Sequence, residues 1–205
     1  MGLFSRITRA FGGGDSELLH NGVLALGRVL EVLPLNTIVQ MRGLAQRVCD
    51  IAVLVLMDGQ APYQAQVRQR VPEIGISQLA TGLVMVAVRV DPSNPQNITL
   101  DFASPPPKVR LAQSTGPGTA SYILENGRDG MAVVISFIPL GYEDYLGDDV
   151  FSIECTVVEG VDTPYQTRAD SAVPAEKLSL LFPGSRIPVK ISQTPQEVVA
   201  DFSRA

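Results

Sequence analysis

The sequence predicts a mainly β protein: two small barrels in tandem, closed or nearly closed, with a short amphipathic helix at the N-terminus. Three observations carry this. A stretch near residue 62 returns about a hundred positions later, both copies alternate apolar and polar residues with a period of two, and a Pro/Gly-rich segment separates them.

The first copy reads "PYQAQVRQRVP" at 62–72 and the second "PYQTRADSAVP" at 164–174, an offset of 102. At that offset Ser77 meets Ser179, Leu79 meets Leu181 and Gly82 meets Gly184, while upstream Val48, Ile51 and Val55 meet Val150, Ile153 and Val157. After a two-residue contraction Pro95-Gln96 and Asp101-Phe102 correspond to Pro195-Gln196 and Asp201-Phe202. A repeat of this length is a whole domain rather than a solenoid unit.

The elements follow in order. On a helical wheel Leu3, Phe4, Ile7 and Phe11 fall on one side and Arg6 and Arg9 on the other, and Gly12-Gly13-Gly14 reads as a hinge, so residues 1–20 form an amphipathic helix and tether. The first barrel then occupies 21–102. It opens with a strand from Val23 to Leu33 that turns near Pro34, and a second strand at 50–57 runs into an Asp58-Gly59 turn. In the next strand Tyr63, Ala65, Val67 and Val71 face inward, and Gln64, Gln66, Arg68 and Arg70 face out. Pro72 ends that strand because proline brings no N–H to a ladder. A helical turn closed by glycine, a strand in "MVAVRV", a turn at "DPSNP" and a last strand in "NITLDF" complete the unit.

Residues 103–120, "ASPPPKVRLAQSTGPGTA", form an extended linker or strap, and 121–205 repeat the plan from a strand at Met131–Ile138 that turns near Pro139. Short strands escape exposed edges by curling into a barrel. The order of strands, helix and two more strands matches an oligonucleotide/oligosaccharide-binding-like (OB-like) barrel, with an SH3-like barrel as the close alternative.

"GRVLEVLPLN", the Pro-Tyr strand, a glycine near residue 82 and "VRVDPSNPQNITLDF" resemble a family of small bacterial β-domains of unknown function that pair a Pro-Tyr strand with a closing V-x-V-D-P-x-x-P stretch. Asp91, Pro92 and Pro95 carry the match; the second copy departs from it, with "SQTPQ" keeping only Pro195. The resemblance implies a fold, and occurrence in tandem or beside membrane segments, but no chemistry.

Composition narrows the function. With 45% hydrophobic and 18% charged residues the chain folds, and a net charge of -5 disfavours capture of a phosphate backbone. Cys49, Cys155 and a single His20 are too few for a disulfide framework or a zinc site, so no cofactor or metal is expected. The two cysteines read as core residues of a reducing cytoplasm, without a secretory signal or an apolar run long enough to span a bilayer.

Candidate chemistry is sparse. His20 near Asp15 and Ser16 has the residue types of a hydrolytic triad without a rigid scaffold. The acidic stretch "GYEDYLGDD" fits no calcium loop and reads as a solvated hairpin turn, Asp91 reads as a turn starter, and Asn97-Ile98-Thr99 is a sequon set on a strand. Arg68 and Arg70 could meet an acidic partner or simply be a solvated sheet face. The N-terminal residues Leu3, Phe4, Arg6, Ile7, Arg9 and Phe11 are the candidate contact with another protein or an anionic membrane surface, and packing on the chain's own barrel or disorder of so short a helix is the equal alternative. The expectation is a non-enzymatic interaction or scaffold module in the cytoplasm or at the inner face of its membrane, with binding of a ligand or a single-stranded nucleic acid through an OB-like face as the alternative.

Overall fold

The computed structural model describes residues 15–41, 43–193 and 197–204, and the chain divides at Val109/Arg110 into two compact units. The candidate contact residues Leu3, Phe4, Arg6, Ile7, Arg9 and Phe11, the triglycine and Pro195 lie outside the described residues.

Each unit is an antiparallel sheet. In the first, β1 (Val23–Met41), β2 (Leu44–Leu56), β3 (Tyr63–Pro72), β4 (Met85–Asp91) and β5 (Asn94–Asp101) lie in the order β3-β2-β1-β4-β5, with α2 (Glu73–Leu79) between β3 and β4. In the second, β7 (Arg128–Glu143), β8 (Asp149–Glu159), β9 (Tyr165–Val173), β10 (Arg186–Ile191) and β11 (Val198–Ala200) repeat that order, and a 3₁₀ turn at Ala175–Leu181 takes the place of α2. The short β6 (Val109–Arg110) pairs with β7.

The alternation decides what is buried. Ala25, Val29, Cys49, Ile51, Val53 and Val88 form the core of the first unit, and Ala132, Val134, Ile153, Cys155, Ala169 and Val189 that of the second. Cys49 pairs across to Gln69, and Phe151 pairs to Ser171, so Cys49 and Phe151 hold the same place in the two plans. Burial first of all raises the thiol pKa of Cys155 to about 11, which keeps it inert at neutral pH.

Two details differ from the sequence expectation. The first strand of each unit runs on past its proline, with register breaks at Pro34/Ile38 and at Pro139/Glu143. Proline is tolerated there because β4 and β10 pair only with the earlier part of β1 and β7, so the proline nitrogens face no partner strand. Each first strand is also preceded by a short helix, α1 (Ser16–Asn21) at the end of the N-terminal helix-and-hinge segment and α3 (Ala120–Asn126) at the start of the second barrel, where the sequence indicates no helix. Asp15 caps α1 by accepting from the N–H groups of Glu17 and Leu18, and Thr119 caps α3 by accepting from Tyr122. Each helix buries one apolar residue, Leu18 or Ile123, and stops at Gly22 or Gly127. A Cβ on either glycine would come within 2.5 Å of the carbonyl oxygen of Leu18 or Ile123, so only glycine lets the helix end sit this close.

Neither sheet is closed by a backbone ladder among the described residues. Antiparallel pairing throughout leaves β3 and β5 running the same way, and a buried side chain spans the gap between them. Gln69 donates from Nε2 to the Leu100 carbonyl at 2.9 Å, and its Oε1 accepts from the Leu100 N–H at 2.8 Å and the Thr99 hydroxyl at 3.1 Å. Ser171 does the corresponding work in the second unit, its Oγ accepting from the Ala200 N–H at 2.9 Å. A side chain thus supplies what a neighbouring strand's backbone would otherwise give.

Candidate functional site

The second unit contains a cleft of about 480 Å³. Its walls come from the strap at 111–114, α3, the β7–β8 hairpin, the outer face of β9 and the chain after β11.

The hairpin holds the cleft's rim. Asp144 Oδ1 accepts from the N–H groups of Leu146, Gly147 and Asp148, each at 2.9 Å, which fixes the turn and lifts Tyr145 and Leu146 to its tip. Leu146 is 69% exposed at this tip, beside the half-exposed Tyr145. The strap is stitched to the base of this hairpin. Leu111 donates its N–H to the Glu143 carbonyl, and Arg110 donates from Nε and Nη2 to Glu143 Oε2 at 3.0 and 2.7 Å.

Leu111, Leu124, Val150, Val199 and Phe202 supply apolar lining. Around them stand five carboxylates, Glu125, Asp144, Asp148, Asp170 and Asp201, and no Lys, Arg or His is among the lining residues. Asp170 is held by the Ser152 hydroxyl at 2.7 Å and Asp201 by that of Ser203 at 2.5 Å. Burial, and then the charges of Asp144, Glu176 and Asp149, hold the Asp148 carboxyl above the usual aspartate range. The arrangement complements a positively charged or apolar group in charge and polarity.

The other candidate residues are occupied structurally. The carboxylate of Asp15 is spent on the α1 N–H groups and His20 sits in the last turn of that helix, so no triad assembles there. Asp91 accepts from the Ser93 N–H and hydroxyl at 2.8 and 2.6 Å and from Asn97 at 3.1 Å, the turn role the sequence indicated. Its pKa is lowered chiefly by the Ser93 hydroxyl. Thr99 of the sequon is buried. Arg68 forms a two-pronged pair with Asp50 at 2.6 and 2.9 Å. The buried Asp101 is fully engaged by Arg89, Ser104 and the Ala103 N–H, a clamp from β5 to β4 and, through Arg89, to the Gly22 carbonyl.

The acidic hairpin was read from sequence as a solvated turn, and its part in the cleft had no signal within the repeat, because the walls that complete it come from α3 and the strap. Among the described residues no group of three His, Cys, Asp or Glu side chains converges as a metal site, and no helix is long and apolar enough to cross a membrane. The chain matches no protein-family model, no curated protein and no solved structure.

Proposed function

We propose that the protein is a non-catalytic interaction module built of two small barrels of the OB type, and that the second engages a protein partner through its cleft. The barrel reading is supported by the strand order, by the helical segment between the third and fourth strands of each unit, and by the side-chain bridges of Gln69 and Ser171. The resemblance of the first unit to small bacterial β-domains belongs to the same reading.

One observation carries the function: an apolar cleft with Tyr145 and Leu146 exposed on its rim. Apolar side chains held out of the core by a hydrogen-bonded turn and ringed by polar groups are the signature of a contact surface. A nucleic acid would bring phosphates against five carboxylates, which ranks a protein partner first.

The test is a photo-crosslinking residue placed at Leu146 in the cell of origin, with Ile74, an exposed residue of the first unit, as control. A discrete adduct from position 146 and none from position 74 is the expected result. Identical smears from both positions, or none from either, would count against the proposal.

A further inference from the structure

Resting on that reading of the cleft, we infer that the partner presents a cationic amphipathic segment: arginine side chains set beside a leucine or phenylalanine anchor. The five carboxylates come from α3, the β7–β8 hairpin, β9 and the chain after β11, so a peptide crossing the cleft meets negative charge from every wall but the strap. The hydroxyls of Ser152 and Ser203 and the turn N–H groups hold three of them in place.

Arginine suits this surface better than lysine. Its planar fork meets a carboxylate through two hydrogen bonds, and its face stacks on a tyrosine ring such as Tyr142 or Tyr145 in the lining. The Arg110 guanidinium lies against Gly147 and is tied to Glu143. Leu124, Val150 and Phe202 then take the apolar anchor, in a volume typical of sites that enclose a few side chains.

The first unit supplies an internal comparison. Where β9 carries Asp170 and Ala172, the equivalent strand β3 carries Arg68 and Arg70. The core positions of both strands stay matched while the charged residues of this outer face differ, Arg68 being paired with Asp50 in the first unit. The carboxylate that Asp170 brings to the cleft has no counterpart at the equivalent β3 position, which distinguishes the two units for a cationic segment.

The experiment uses the full chain and fluorescence anisotropy of a labelled peptide, Gly-Arg-Leu-Phe-Arg-Leu-Arg-Gly, beside its counterpart with Glu for every Arg. The arginine peptide should bind at least about tenfold tighter, with affinity falling as salt rises from about 0.05 to 0.3 M. Replacing Glu125→Lys together with Asp170→Arg should weaken binding about tenfold or more, and Glu125→Lys alone, at an exposed helix position that cannot disturb the core, about threefold. Equal binding of both peptides, abolished by Leu146→Asp, would overturn the charge assignment and leave the cleft as an interaction surface. Arginine-peptide binding undiminished in the charge variants would overturn the site. Failure of both peptides to bind would overturn the cationic assignment, and the crosslink at position 146 would then decide the wider reading separately.

Discussion

Replacing Gln69 with leucine should open the seam between β3 and β5. The side chain is 3% exposed and makes three hydrogen bonds, two of them to the Leu100 backbone. Leucine fills similar space but leaves a buried N–H, a buried C=O and a buried hydroxyl without their partner. Each such orphan costs about 1–3 kcal/mol where water cannot enter, and less where it can, so the loss should total about 2–4 kcal/mol. For a domain of this size each kcal/mol lowers the Tm by about 4–8 °C, so calorimetry should show the first unit melting roughly 8–32 °C lower. Ser171→Ala removes a single hydrogen bond, to Ala200, and should cost the second unit about 1 kcal/mol. Hydrogen exchange at the Leu100 amide should accelerate in the first variant alone. A Gln69→Leu loss below about 1 kcal/mol, or a Ser171→Ala loss as large as that of Gln69→Leu, would refute the seam as described.

Three further outcomes follow from the same structure. Asp148→Asn should raise the Tm at neutral pH. Burial and its acidic neighbours raise the carboxyl's pKa in the folded state, so its protonated form favours folding at low pH, that contribution is lost as pH rises through the folded pKa, and the variant's advantage should vanish below about pH 4; a gain that persists there contradicts the assignment. Gly27→Ala should destabilise by about 1–3 kcal/mol, since a Cβ would fall 2.3 Å from the Val88 Cγ2 and 3.0 Å from the Val53 Cγ1, and Val88→Ala should recover part of the loss in chemical denaturation. Serine at Leu3, Phe4, Ile7 and Phe11 together should abolish co-flotation of the full chain with vesicles rich in phosphatidylserine, and unchanged flotation would remove the N-terminal tether from the account.

The sequence made the hairpins legible because period-two burial was written twice, and agreement between copies fixed the phase of Tyr63 to Val71 and of Tyr165 to Val173. The same doubling held the key to the seam. Gln69 and Ser171 occupy inward positions in those runs, and a polar residue at one matched core position in both copies is a signal of a buried partner. The helices α1 and α3 escaped because six or seven residues are too few to show a 3.6-residue period. Their caps and terminal glycines were the available clue. The cleft was the least legible part. It depends on where the strap meets the β7–β8 hairpin and α3 packs on β10 and β11, and composition alone makes "GYEDYLGDD" an ordinary solvated turn.

The central claim is that one plan has been used twice, each copy closing around its own interior. Expressing residues 15–109 and 110–205 separately and recording ¹⁵N–¹H correlation spectra of each beside the full chain tests this most directly. The prediction is two dispersed spectra, each overlaying its own subset of full-length resonances, and two cooperative unfolding transitions. A half that loses dispersion when isolated, or whose resonances move throughout its core, would contradict it.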